Sequence, residues 1–262
     1  MLKNLIKYDF KWINNKAMFA YYILLFLITV SVTIVEGMEQ TFFLLIVDKI
    51  LSGMFISCSI SLVITVLLRI WVGYNVSFYK DESYLTHTLP ASKNELYNSK
   101  IIVSIVSLIM ALLFIAICFL SSYIINVGFD SIKTMYQGVV AIAGKANTNL
   151  LIIGIILIII LEMLFIMFAG IFGLTLGNRS NNNKIVKSIA FGFISYFMLN
   201  MVSIVVFKLL DVFTKFDITS KTIPEVGVLK MLGITGLILY AVYNLIYYLV
   251  GKSIFNKGVN VE

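Results

Sequence analysis

Six long apolar stretches, separated by short polar connections, dominate the chain. A helix needs roughly 20 apolar residues to cross a hydrocarbon core about 30 Å thick, and each stretch is long enough. The stretches are continuously apolar, whereas the strands of a membrane barrel alternate between polar and apolar positions. The pattern predicts an all-α polytopic membrane protein, with one transmembrane domain over 1–262 and six spans at about 17–35, 51–78, 101–127, 150–176, 185–210 and 227–250.

The composition agrees with this class. Hydrophobic residues make up 60% of the chain and charged residues 13%, whereas an ordinary soluble domain has about 25% charged residues. A water-soluble fold is therefore not expected.

The basic residues indicate how the chain is oriented. An even number of spans places both termini on one side, and the connections assigned to that side contain twelve basic and five acidic residues. The other side contains seven of each, so the formal net charge of +7 lies on the terminal side. Because basic residues near span ends stay preferentially in the cytoplasm, both termini are predicted to be cytoplasmic. Anionic lipid accounts for these charges, and no nucleic-acid partner is expected.

The first sixteen residues predict an amphipathic helix at the membrane interface rather than a cleaved leader, since no small-residue cleavage site follows them. Apolar residues recur on one helical face, and lysines repeat at every fourth position on another. The residues that define the two faces and the headgroup level are Lys3, Lys7, Phe10, Lys11 and Trp12. Two roles remain open for this helix, a membrane anchor and a docking surface for another subunit.

The loop between the second and third spans, residues 79–100, contains a predicted short helix. Asp81 and Glu82 are favourable first-turn residues for a helix that runs through Leu85 and His87. Pro90 disfavours helical geometry at Leu89 and so ends it. The pattern predicts a short helix lying across a tight turn.

A second helix signal follows in the same loop. Ser92 and Glu95 have the S-x-x-E spacing of a capping box, in which each side chain bonds the free backbone N–H of the other residue. The short helix before it would carry an apolar face, Tyr84, Leu85 and Leu89, without an evident partner. We expect this face to dock another protein, rather than merely to connect two spans.

The same loop carries a family resemblance. The residues concerned are Glu82, Tyr84, Leu85, Thr88, Leu89, Pro90, Ser92, Lys93, Leu96, Ser99 and Lys100. They resemble the first cytoplasmic loop of type 2 ATP-binding-cassette (ABC) exporter permeases of bacteria, in which an acidic residue, an apolar pair, a proline turn and a serine–basic pair precede a lysine. That family often has glycine where this chain has Ser99. The six spans and the amphipathic N-terminal helix agree with the family along nearly the whole chain.

The resemblance implies a mechanism in which the short helix sits in a groove of a separate ATPase subunit and the N-terminal helix braces it. It implies the plasma membrane, two ATPase subunits that hold ATP and Mg, and a second permease copy or a similar permease as partners. No cofactor or metal would be bound by this chain. The residues implied in coupling are Asp81, Glu82, Tyr84, Leu85, His87, Leu89 and Pro90.

The residues themselves also require a separate motor. No G-x-x-x-x-G-K-[ST] phosphate loop occurs, because Ile246 stands where the first glycine before Gly251-Lys252-Ser253 would be. The spans hold no convergent set of His, Asp and Ser, so an intramembrane enzyme is not expected.

Polar residues within the spans are the candidates for an intramembrane site: Arg69, Glu162 and Asn200. Glu162 lies near the middle of the fourth span, where an acidic side chain costs about 2.5–3.5 kcal/mol. It is either a proton or cationic-substrate site or a structural pair with a neighbouring helix. Arg69 is one possible partner, although snorkelling to the inner headgroups explains Arg69 equally well. For Asn200, helix packing is expected.

Two connections and a glycine motif complete the pattern. Residues 128–149 are expected to be a polar outer loop, and Asp211 to Glu225 a short surface helix. Gly173 and Gly177 form a G-x-x-x-G that predicts close packing within the chain rather than a dimer seam.

The few charged groups in the spans suggest an amphipathic or hydrophobic cargo, such as a peptide, an antimicrobial peptide or a drug. The alternative is a secondary transporter driven by protons through Glu162.

Overall fold

A computed structural model of the chain describes residues 2–39, 41–80, 82–180, 182–214 and 226–257. Within these ranges the protein is all α-helical, without a strand. The helices are α1 (Leu2–Ile13), α2 (Lys16–Glu36), α3 (Phe42–Tyr79), α4 (Ser83–Thr88), α5 (Lys93–Val127), α6 (Phe129–Ala143), α7 (Lys145–Gly177), α8 (Lys184–Thr214) and α9 (Val226–Asn256).

Six of the described helices, α2, α3, α5, α7, α8 and α9, are long and apolar enough to cross a membrane. Each of the six predicted spans lies inside one of them, so the protein is a polytopic helical membrane protein. The helices are longer than the spans, because α3 has 38 residues and α5 has 35. In α3 the extra length is at its N-terminal end, where Asp48 and Lys49 are helical.

The segment 128–149, expected to be an outer loop, is not a loop. Most of this segment forms α6, a helix of 15 residues. Gly128 and Gly144 flank it with φ values of +83° and +79°, which residues with a Cβ rarely adopt. The glycines that suggested a loop are therefore the stop signals on either side of a helix. The surface helix predicted between Asp211 and Glu225 falls largely on 215–225, outside the described residues; α8 itself continues to Thr214.

The chain forms two compact units, whose boundaries fall within α3, α5 and α6. The first comprises Met1–Gly73 and Asn98–Gly138, and the second Tyr74–Tyr97 and Val139–Glu262. In the first unit, α1 precedes the first membrane helix, and Asn15 caps α2 by accepting hydrogen bonds from the backbone of Ala17 and Met18. Tyr22 and Phe114 pack edge to face with ring centroids 5.0 Å apart, which joins α2 to α5.

The second unit is built on α7, which packs against both α8 and α9. At the α7–α8 crossing a Cβ added to Gly173 would lie 2.5 Å from both the Gly192 nitrogen and the Ser188 carbonyl oxygen. Gly177 approaches Ser188 even more closely. The prediction that this glycine motif packs within the chain is confirmed, because only glycine permits backbones to approach to this distance.

Candidate functional site

The short helix predicted in the loop 79–100 is present as α4, which is anchored at its start and ends before Pro90. Glu82 lies at the N-cap position, and its carboxylate accepts a hydrogen bond from the Ser77 hydroxyl at 3.2 Å instead of capping the helix itself. Ser83 is buried. At the other end Leu89 has extended backbone geometry (φ −63°, ψ 140°), as expected before Pro90. The helix is thus anchored at its start and terminated after Thr88.

The exposed part of α4 carries two large apolar side chains. Tyr84 and Leu85 are 76% and 68% exposed, and Leu89 is also exposed. Asp81 lies outside the described residues, and for His87 the structure describes the backbone alone, within α4. The arrangement leaves Tyr84 and Leu85 side by side on a helix of six residues. A helix this short is not stable by itself in water, so its shape depends on the contacts of the residues that flank it.

The predicted capping box at the start of α5 is present. The Glu95 carboxylate accepts hydrogen bonds from the Ser92 backbone N–H at 2.9 Å and from the Ser92 hydroxyl at 3.0 Å. The Ser92 hydroxyl oxygen accepts one from the Glu95 backbone N–H at 3.3 Å. The turn that links α4 to α5 is therefore defined by reciprocal hydrogen bonds.

Substituting Ser92 by alanine is expected to destabilise the first turn of α5 by about 1 kcal/mol, because the N3 amide loses its acceptor. This corresponds to an about fivefold larger equilibrium constant for opening of that turn. Hydrogen exchange of the Glu95 amide measures it, and Ser92→Thr, which keeps the hydroxyl, serves as the control. Equal exchange in the alanine and threonine variants would contradict the capping role.

Aromatic side chains pack together at both ends of this loop, within the second unit. The members of this cluster, Tyr74, Phe78, Tyr97 and Phe255, are all fully buried. Phe78 and Phe255 pack with ring centroids 4.7 Å apart, and Tyr97 and Phe255 with centroids 5.5 Å apart. The Tyr74 hydroxyl is hydrogen-bonded to Thr175 of α7 at 3.1 Å. The ends of α3, α5 and α9 thus form one buried platform.

The end of α9 also bonds directly to the start of α5. The Asn256 side chain donates to the Asn94 side-chain oxygen at 2.9 Å, and the Lys93 ammonium reaches the Asn256 carbonyl at 3.5 Å. Gly251 lies where a Cβ would be 2.8 Å from the Tyr97 hydroxyl. The glycine of the Gly-Lys-Ser sequence is therefore a packing position between α9 and α5.

In the first unit, α1 has the predicted two faces. Lys3, Lys7 and Lys11 are exposed, while Phe10 and Trp12 are partly buried. The Trp12 ring packs against Gly73 of α3 so closely that an added Cβ would lie 2.7 Å from it. Trp12, assigned from the sequence to the headgroup level, is thus also a contact between α1 and a membrane helix.

Asp9 is the residue of α1 that the sequence reasoning missed. It is 5% exposed, and its carboxylate accepts from the Lys100 ammonium at 2.6 Å and from the Ser99 hydroxyl at 3.3 Å. A signal existed, because Asp9 is four residues from both Leu5 and Ile13 and so lies on the apolar face of a basic helix. An acidic residue at such a position indicates a buried cationic partner.

Two further polar contacts hold the end of α1. The Arg69 guanidinium reaches the Ile13 carbonyl at 3.5 Å. The Asn14 side chain donates to the Ser107 hydroxyl at 2.9 Å. Arg69 of the second span therefore has a hydrogen-bond acceptor at the C-terminal end of α1.

The other intramembrane polar residues belong to the second unit. Asn200 donates to the Tyr196 carbonyl of its own helix at 3.0 Å. Glu162 is half-buried. Of the salt bridges formed by the described residues, Lys49–Asp48 and Lys100–Asp9, neither involves Glu162.

No protein-family model, curated protein or solved structure matches this chain.

Proposed function

We propose that the protein is the membrane-spanning permease subunit of an ABC exporter, and that a separate ATPase subunit drives it by docking on α4. The permease works with a second copy or a similar permease, and two ATPases bind ATP and Mg. Both termini and α4 face the cytoplasm of a bacterial cell, in agreement with the excess of basic residues on that side.

One observation carries the proposal: α4 exposes an apolar pair on a helix whose start is anchored and whose following turn is defined by hydrogen bonds. Tyr84 and Leu85 are largely exposed, while Glu82, Ser83 and the Ser92–Glu95 box hold the flanking backbone. Aromatic and aliphatic anchors that enter a pocket carry most of the energy of an interface. A pre-ordered helix loses little conformational freedom when it docks. The exposed pair and the ordered backbone of α4 therefore suit a helix that transmits force from an ATPase to the membrane helices.

The missing phosphate loop supports a two-subunit motor. Gly251-Lys252-Ser253 lies within α9, where Gly251 packs on Tyr97. A phosphate loop instead joins a strand to a helix and presents free backbone N–H groups. The energy source is therefore expected on another chain.

The cargo that we propose is amphipathic or hydrophobic, such as a peptide or a drug. The membrane helices are lined by aliphatic and aromatic side chains with few charges. A highly charged solute would find little compensation for its lost hydration there.

The test is purification of the tagged protein in mild detergent from the cells that naturally produce it. A phosphate-loop ATPase is expected to accompany the wild type and to give ATP hydrolysis in the purified sample. The double variant Tyr84→Ala, Leu85→Ala is expected to reduce both at least about tenfold, because two anchor side chains are lost.

The matched control is Phe129→Ala, Met135→Ala. These α6 side chains are 71% and 65% exposed, similar to the α4 pair, but are assigned to the other side of the membrane. This variant should retain the ATPase. The proposal fails if the wild type brings no ATPase, or if both double variants retain it equally.

Glu162 favours a second candidate, a proton-coupled secondary transporter. It is an intramembrane carboxylate that takes part in no salt bridge among the described residues. This candidate predicts that an uncoupler abolishes transport in proteoliposomes without ATPase, and that Glu162→Gln does the same. Transport that depends on ATP and survives the uncoupler would exclude it.

A further inference from the structure

Glu162 lies on the face of α7 that packs against α8 and α9. Ile158 and Phe165, one turn before and one turn after it, lie on the same helical face. Ile158 lies against α9, since a Cβ placed on Gly236 would be 3.8 Å from its Cδ1 atom. Phe165 is fully buried. The backbone of Glu162 is therefore framed by two residues that face the neighbouring helices.

Aromatic rings from two helices surround Phe165 of α7. Its ring centroid lies 5.1 Å from that of Tyr196 in α8, and 5.7, 5.6 and 5.5 Å from those of Tyr240, Tyr243 and Tyr247 in α9. Glu162 lies one helical turn before Phe165 on the same face of α7, so it is adjacent to this aromatic cluster. The cluster consists of the five rings named here.

Near Glu162 and the aromatic cluster, a buried amide has an oxygen that accepts no hydrogen bond. Asn244 is 8% exposed, and its Nδ2 donates at 3.0 Å to the carbonyl of Leu161, the residue next to Glu162. Because a carbonyl only accepts, this bond fixes which side of the amide is oxygen. The Oδ1 atom is buried and accepts no hydrogen bond from any described residue. Buried acceptors are rarely left in this state.

We infer that α7, α8 and α9 form an intramembrane site for the cationic head of an amphipathic ligand, an ammonium or guanidinium group. The Glu162 carboxylate supplies the counter-charge, Asn244 Oδ1 accepts a hydrogen bond, and the tyrosine rings of the aromatic cluster supply cation–π faces. The role of this site in binding cargo rests on the proposed export function. It narrows the proposed cargo to organic cations.

The chemistry of the group selects this ligand class. A carboxylate and a free amide oxygen both accept, so an anion is repelled and a donor-rich cation is favoured. Aromatic faces attract a cation most strongly where water is excluded. A proton bound to the carboxylate would make no cation–π contact with the rings. Glu162 itself is only partly buried, so a ligand can approach this residue.

The test compares phenylbutylamine with the neutral alcohol phenylbutanol, by equilibrium dialysis against the purified protein in nanodiscs, with protein-free nanodiscs subtracted for lipid partitioning. The amine is expected to bind saturably and about tenfold more tightly than the alcohol. Glu162→Gln is expected to reduce amine binding to the level of the alcohol. Tyr240→Leu should weaken it severalfold.

Thr65→Val is the matched control, because this hydroxyl of α3 donates to the Ser61 carbonyl of its own helix and is not on α7, α8 or α9; amine binding should be unchanged. Equal binding of amine and alcohol to the wild type overturns the inference, and that comparison needs no variant to fold. Wild-type affinity in Glu162→Gln overturns it as well. The assay contains no ATPase, so its failure is distinguishable from failure of the proposed export function.

Discussion

Replacing Asp9 by asparagine is expected to detach α1 from α5 and to lower the free energy of unfolding by about 3–5 kcal/mol. The Lys100 ammonium has a side chain only 14% exposed and lies 2.6 Å from the Asp9 carboxylate. Without that carboxylate a largely buried cation loses its charged partner, and this costs more than the loss of an exposed pair. SDS-induced unfolding followed by circular dichroism gives the free energy. Hydrogen exchange over residues 2–13 reports the release of α1.

Two comparisons test the cause of that effect. Lys100→Met in the Asp9→Asn background should recover part of the loss, because removing both charges leaves no uncompensated ion. Asp130→Asn, at an exposed site in the first turn of α6, should change stability by less than about 1 kcal/mol. An Asp9 variant as stable as the Asp130 variant would show that the buried pair contributes nothing.

Substituting Gly173 by alanine is expected to destabilise the second unit by about 3 kcal/mol, the upper end of the usual cost of overpacking. The new Cβ would lie 2.5 Å from two backbone atoms of α8, the Gly192 nitrogen and the Ser188 oxygen. Backbone cannot rotate away as a side-chain tip can, so α7 and α8 must separate. The same SDS unfolding measurement applies, together with hydrogen exchange of α7 and α8.

Two other glycines provide a graded control. A Cβ on Gly154, in the same helix, meets nothing within 4 Å, so Gly154→Ala should shift stability by less than about 1 kcal/mol. A Cβ on Gly192 would lie 3.3 Å from the Ala169 oxygen, which predicts an intermediate effect. If Gly154→Ala and Gly173→Ala were equally stable, close backbone contact would not explain the motif.

Local rules predicted those features of the fold and site that depend on neighbours in sequence. Six apolar runs of sufficient length predicted six membrane helices. Pro90 predicted the end of α4, and the Ser92–Glu95 spacing predicted the capping box, because both effects act within a few residues. The apolar face expected to have no partner within the chain is exposed at Tyr84 and Leu85.

Features that depend on distant partners were not predictable in the same way. The carboxylate of Asp9 is satisfied by Lys100, 91 residues away, and nothing in the α1 sequence names that partner. Asn244 is bonded to Leu161 across α9 and α7. Both polar residues were visible in the sequence, but their partners are set by how the helices pack.

The misread connection at α6 has a different cause. Gly128 and Gly144 are turn-forming residues, and the polar residues between them suggested a loop. Ile132, Tyr136 and Val140 nevertheless repeat at every fourth position and are the partly buried side of the helix. This periodicity was available from the sequence and would have predicted the helix.

The division into two units has a consequence for spectroscopy. The chain has two tryptophans, Trp12 and Trp71, and both belong to the first unit. Selective excitation of tryptophan therefore reports on α1 and its surroundings, and the packing of Trp12 on Gly73 makes its emission sensitive to the release of that helix. The tyrosine-rich aromatic cluster around Phe165 contributes no tryptophan signal, so a ligand or variant that acts there would be silent to this probe unless its effect spread to the first unit.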